Sequence, residues 1–190
     1  MRWPVAAAAS VVVGGALAAA AVAQQEGIDP RAPVPNFAPQ EEAAPAQLKI
    51  DLPQFPRPEN LLPFDTPRVG QFQFFIDSQS LAVEADGLIR YTVVAKSATA
   101  TNVSVELMSC RGKRRLTYAY GRPDGTWYVS KKDSAAWADI GSEASGGYRF
   151  VLYQNYFCPA GNGIKSAAEG LYALKRAGHP STLDTGYGTY

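Results

Sequence analysis

Arg111, Lys113, Arg114 and Arg115 crowd together directly behind Cys110 and run into Leu116, Tyr118 and Tyr120. A guanidinium is a planar fork that holds two oxygens at once. The cluster is therefore a candidate contact for an anion: phosphate, a lipid headgroup, a glycan carboxylate or an acidic envelope protein. Aromatic neighbours would extend the same chemistry to single-stranded nucleic acid. Bulk charge argues against that extension: the chain carries a formal charge of only +1 at pH 7, and no nucleic acid is expected. The simpler reading is a solvated turn whose charges keep a sheet edge from pairing with other chains.

The other candidates lie in YFCPAGNGIKSAAEGLYALKRAGHP, residues 156–180, which holds the second of two cysteines, Cys158, and the one histidine, His179. A histidine can act as a general base when a nucleophile and an orienting carboxylate flank it. No G-x-S-x-G elbow is present, and His179 follows a helix stop, where it is expected to be exposed and dispensable. Glu84, Asp86 and Glu106 could in principle form the carboxylate pair of a glycoside hydrolase. Their positions on strands and in a hairpin turn are explained as well by exposed acids. Two cysteines and one histidine are too few for a zinc site, and no phosphate loop or dinucleotide fingerprint occurs. No catalytic residue, cofactor or metal ligand is assigned.

The compartment decides how the cysteines read. MRWPVAAAASVVVGGALAAAAVAQQ places Arg2 before an uncharged apolar run, with Ala21 and Ala23 at signal-peptidase spacing. Residues 1–23 read as a cleaved secretory signal, a retained anchor being the alternative; the alanine-rich run and Gly14-Gly15 suit a cleaved segment better. No acceptor cysteine for a lipid follows it, and no later stretch is apolar enough to span a bilayer. The expected location is periplasmic. In that oxidising setting two cysteines are most simply one disulfide, Cys110 to Cys158.

The elements that position these residues follow from punctuation and period. Residues 24–54 form a proline-rich spacer, and QFPRPENLLPF, the later part of the proline-rich stretch, is rich enough in Phe and Leu to lie extended against the domain. From Gln71 the pattern alternates. QFQFFID, SLAVEADGLIRYTVVAKS, TNVSVELMSC and RRLTYAYGRPDGTWYVSK read as strands, with a two-residue Asp86-Gly87 hairpin and a second turn at Pro123-Asp124-Gly125. RFVLYQNYF, 149–157, fits a helical face, although its composition also allows a strand. Ser166 with Glu169 forms a capping box. Ile164, Ala167, Ala168, Leu171 and Leu174 make one apolar stripe, and Gly178 with Pro180 marks the stop. Ten Tyr, eight Phe and three Trp are mostly core filling, with a subset available to line a groove.

PRPENLLPF, ADGLIRYTVVAKS, YAYGRPDGTW, NYFCP and SAAEGLYALKRAGHP, in this order, resemble the cryptic neisserial protein one-like family over roughly residues 55–180. The resemblance implies a small bacterial envelope protein and carries no catalytic residues to transfer. The expected architecture is α+β: an antiparallel sheet of about five strands with one or two C-terminal helices on one face. It spans residues 55–180, with a flexible tail at 181–190. The expected role is a non-enzymatic binding or assembly module, with a hydrolase of an envelope polymer as the alternative.

Overall fold

Alternating apolar residues build the central strands. The computed structural model describes residues 48–66, 71–129, 136–141 and 147–183. The expected signal segment, most of the spacer and the end of the tail lie outside the described residues. The expected runs form β2 (Gln73–Asp77), β3 (Ala82–Val83) and β4 (Ile89–Lys96) on either side of the first turn, β5 (Thr101–Ser109), and β6 (Arg114–Gly121) and β7 (Trp127–Val129) on either side of the second. They are joined by β1 (Leu61–Phe64) and β8 (Ala138–Asp139). The order is β1-β2-β4-β5-β6-β7, with β3 also on β4, β8 also on β6, and every pairing antiparallel.

Among the described residues the sheet thus has eight strands, not about five. One extra strand, β1, comes out of the proline-rich stretch. It sits at the sheet edge, where Pro63 can lack an N–H without breaking a central ladder. β3 and β8 are two residues each and extend the lanes of β2 and β7.

Both hairpin signals produce turns, but not of the two-residue kind expected at Asp86-Gly87. The Glu84 N–H bonds the Leu88 carbonyl (2.8 Å), the Asp86 carboxylate accepts from the Leu88 N–H (3.1 Å), and only Gly87 has a positive φ, 83°. The turn at Arg122–Thr126 repeats this plan, with Asp124 accepting from the Thr126 N–H and Gly125 at φ 80°. Aspartate closes the turn and the next residue must be left-handed, which glycine does without strain.

The 149–157 segment is helical. α1 (Tyr148–Val151) runs into a π-helical stretch, Leu152–Phe157, that ends at Cys158. α2 (Ala167–Lys175) carries the expected cap: the Ser166 hydroxyl accepts from the Glu169 N–H (3.2 Å). Gly170 is buried under Leu81 and Ile164, whose methyls lie 2.8 and 2.7 Å from where a Cβ would stand, so α2 packs closely there. The helix stop differs from expectation. Ala177 is the left-handed residue (φ 57°), and the Gly178 N–H closes back on the Ala173 carbonyl (3.0 Å). Pro180 then starts a further turn, α3 (Pro180–Leu183), as proline can at a first helical position.

The core lies between the sheet and these helices. Ile76, Ile89, Met108, Leu152 and Phe157 are fully buried in it. Cys110 at the end of β5 is bonded to Cys158 across this layer, with Cα atoms 5.4 Å apart. A link spanning 48 residues restricts the unfolded chain, by about 4 kcal/mol on the chain-entropy account. On the outer face the segment before β1 lies along the sheet. The Trp127 indole donates to the Pro53 carbonyl (2.9 Å) and packs on Phe55 at 5.1 Å. Gly121 is required beneath this strap, because a Cβ there would stand 2.8 Å from the Phe55 ring and from Val103. Among the described residues no helix is long and apolar enough to cross a membrane.

Candidate functional site

Antiparallel register stacks side chains into rows across the helix face. One row runs Leu62, Ile76, Val93, Ser104, Tyr120 and Tyr128. The next joins Tyr91 to Glu106 and Thr117. A β-bulge falls at this point: Val105 opposes Ala119 but Glu106 opposes Thr117, leaving Tyr118 as the extra residue on β6. Bulges re-aim side chains and bend a strand locally. Here the irregularity sits beside a fully buried glutamate.

Glu106 is 0 % exposed, yet its carboxylate is saturated with donors. One oxygen accepts from the Ser104 hydroxyl (3.1 Å), the Tyr148 hydroxyl (2.7 Å) and Arg149 Nη2 (2.7 Å). The other accepts from the Tyr91 hydroxyl (3.0 Å) and Arg149 Nε (2.9 Å). Burial by itself would push the carboxyl up. The adjoining guanidinium charge and the hydrogen bonds from Arg149, Tyr148 and Tyr91 outweigh it and hold Glu106 below the ordinary glutamate range. Burial likewise acts to lower Arg149, but the Glu106 charge overrides it and raises the guanidinium further. Tyr91 is raised well above the usual phenol range, first by burial and then by the Glu106 charge. The cluster is therefore an ion pair flanked by neutral phenols, and Glu106 has neither a proton to give nor a lone pair to spare. It is positioned as an anchor and not as a general acid or base.

The Arg149 guanidinium also lies over the Tyr148 ring (4.5 Å), and that ring stacks on Phe74 at 4.7 Å. Beyond this wall, among the described residues, the helices leave part of the sheet uncovered. A cleft of about 510 Å³ opens there. Its floor is Phe74 from β2, Val93 and Ala95 from β4, and Asn102 and Ser104 from β5; Tyr120 flanks it, with Tyr148 and Arg149 at the end wall. Tyr120 is half exposed and pairs directly with exposed Tyr128, so an aromatic shelf continues from the cleft to the sheet edge. Largely apolar walls with a few fixed polar groups are the common make-up of small-ligand sites.

The family comparison covers both halves of this constellation. The model of the CNP1-like family matches residues 40–175, which contain all the described strands and both members of the ion pair. The chain belongs to the CNP1-like family. No curated protein and no solved structure shows significant similarity to it.

In this CNP1-like chain the residues singled out by type fall apart in space. Arg111 and Lys113 are exposed at the β5–β6 turn, where the Lys113 ammonium lies over the Phe150 and Tyr153 rings at 5.8 Å from each. Arg114 and Arg115 are half-buried at the start of β6, Arg114 beside Asp139 (3.7 Å) and bonded to the Trp137 carbonyl (3.3 Å). His179 corrects the expectation of an exposed ring: its side chain is 12 % exposed. Its Nε2 contacts Glu169 (3.0 Å), its Nδ1 contacts the Ser181 hydroxyl (2.8 Å), and its N–H bonds the Asn155 carbonyl (2.7 Å). These contacts tie α3 back to α2 and the π-helical stretch. Glu84 pairs with Arg90 (2.7 Å) and Asp86 closes its turn.

The Glu106–Arg149 pair was missed by residue type. Each residue carries a partial local signal, an acid between Val105 and Leu107 in TNVSVELMS and one arginine interrupting the aromatic run YRFVLY, but neither points to the other. Among the described residues no group of three or more His, Cys, Asp or Glu is arranged to hold a metal ion.

Proposed function

We propose that this CNP1-like chain is an exported periplasmic protein that acts as a non-enzymatic binding module, with the helix-face cleft as its ligand contact. The observation that carries the reading is the rigid end wall. Arg149 is locked by Glu106 and Tyr148 beside a preformed aromatic cleft, so ligand binding would not have to order that wall first. The ion pair is internally compensated, so the cleft suits a ligand with an apolar or aromatic body more than a free anion. The basic turn at Arg111 and Lys113 is a separate contact for an anionic envelope protein, glycan or headgroup.

Export is supported by the leader-like start and by the cysteine pair. A hydrolase draws no support from Glu106, whose oxygens are already occupied. Native mass spectrometry on protein released gently from the periplasm tests the binding reading, with Ala95→Trp as the comparison. Ala95 lies on the cleft floor, and an indole there would fill it. A bound small molecule on the wild-type chain that is absent from Ala95→Trp supports the reading. Equal occupancy of both, or none on either after presentation of an envelope extract, overturns it.

A further inference from the structure

A second cleft, of about 420 Å³, opens on the outer face, on the other side of the sheet from the one above. The strap residues Asp51–Phe55 and Arg57 form one wall; Asn60, Asp77, Gln79 and Arg90 form the rest. Its character is the reverse of the first cleft. It is lined by carboxylates, carboxamides and guanidinium groups, with the Phe55 ring at one side.

Asp77 sets the chemistry. It is 2 % exposed at the end of β2, and its carboxylate accepts from the Gln79 N–H at a long 3.3 Å. Glu106 takes five donated bonds and is lowered; Asp77 has fewer partners and is raised, first by burial, with the hydrogen bonds from Gln79 and Ser80 opposing. A buried carboxylate with unused acceptor capacity beside a cavity can take a donor from a bound molecule. Donors of the opposite kind stand nearby: Arg57 is exposed on the strap, and Arg90 is fixed by Glu84. The charges in and beside the cleft nearly cancel, since Asp51, Asp77 and Glu84 face Arg57 and Arg90. That selects against a strongly charged ligand. Sugar hydroxyls each donate and accept, and planar groups with paired donors or acceptors match vicinal hydroxyls two at a time.

We propose that this outer-face cleft is a binding site for a neutral saccharide, with Asp77 accepting from a hydroxyl and Arg57 and Arg90 donating to its neighbours. The site is independent of the helix-face cleft.

The test is a titration of the full chain, followed by amide chemical-shift mapping, with cellobiose, maltose and N,N′-diacetylchitobiose as neutral probes and galacturonate and glucosamine as charged ones. At least one neutral disaccharide should bind, with shifts centred on residues 51–60, 77–79 and 90. Asp77→Asn keeps the shape and removes the charged acceptor; it should weaken binding about tenfold, the usual worth of one hydrogen bond to a charged group. Arg57→Ala is on the exposed strap, should leave folding intact, and should weaken binding similarly. Ala95→Trp should bind as wild type does, which separates this site from the cleft of the proposed function. The proposal is overturned if no neutral probe binds, if shifts map to the helix-face cleft, if neither Asp77→Asn nor Arg57→Ala weakens binding, or if a charged sugar binds more than about tenfold tighter than every neutral one.

Discussion

Arg149→Met separates an anchor from a decorative ion pair. The substitution keeps the packing of the side-chain stem but removes the guanidinium from a carboxylate that is 0 % exposed. Glu106 would retain the hydroxyls of Ser104, Tyr91 and Tyr148, yet its charge would lose the partner that holds it ionised. Removing one member of a buried pair typically costs about 3–5 kcal/mol, a large share of a domain's total of about 5–15 kcal/mol. For a chain of this size that corresponds to a fall in Tm of roughly 10 °C.

Glu106→Gln should cost less, about 2 kcal/mol, because Arg149 is 18 % exposed and can turn its charge towards water, whereas Glu106 cannot. Glu106→Leu combined with Arg149→Met should cost less than Arg149→Met alone, since no unpaired charge is left inside. The pH dependence has a definite sign. A carboxyl lowered in the folded state contributes stability that is present above its unfolded pKa, about 4.3, and is lost as pH falls through the lower folded value. Glu106→Gln should therefore flatten the acid limb of the stability curve. Urea unfolding of the four proteins across pH 3–7 reads all of this. If Arg149→Met costs less than about 1 kcal/mol, or Glu106→Gln costs more than Arg149→Met, the assignment of Glu106 as the buried, charge-dependent member is wrong.

Three further outcomes follow from local geometry. Gly121→Val places a side chain where the Phe55 ring already lies 2.8 Å from the Cβ position, so the strap should lift; an altered Trp127 environment, read by near-UV circular dichroism, checks it, and an unchanged spectrum would contradict the packing. Ala177→Gly relieves a left-handed alanine at the end of α2 and should stabilise by about 0.5–1 kcal/mol after the extra unfolded-state freedom of glycine is set against it, measured by thermal unfolding. Asp77 has a raised carboxyl, so between its unfolded and folded pKa values the native state holds more protons and stability falls with rising pH, remaining reduced above that window. Asp77→Asn should remove that fall and match or exceed wild type in stability near pH 7.

Local chemistry made several elements readable. The Ser166–Glu169 cap, the two Asp-Gly turns and the alternating runs each depend on residues close in sequence, and each stands where it was expected. The extra strands were harder because their existence depends on a partner. Leu61–Phe64 carries a proline and becomes a strand only by pairing with Leu61↔Asp77 register along β2, and Ala138–Asp139 only because β6 continues past β7. The left-handed position at the end of α2 falls on Ala177, one residue before the glycine that composition favours, because the Gly178 N–H is needed to close on Ala173.

The site was less legible than the fold for a sharper physical reason. An acid in an alternating run reads as solvent-facing unless the opposite layer is known to bring it a charge. Glu106 and Arg149 are separated by 43 residues, and nothing near either one specifies the other. Their contact depends on the bulge of β6 opposite Glu106, on α1 beginning where it does, and on the disulfide joining Cys110, just past the end of β5, to Cys158, at the end of the π-helical stretch that follows α1. The disulfide could be inferred from a count of two; the ion pair could not be inferred from seventeen acids and eighteen bases. Yet the two links serve one junction, covalent at one end and electrostatic at the other. Among the described residues, α1 begins at this junction and leaves the cleft-side ends of β4, β5 and β6 uncovered. A substitution that releases the electrostatic end should therefore disturb the cleft wall before it disturbs the sheet.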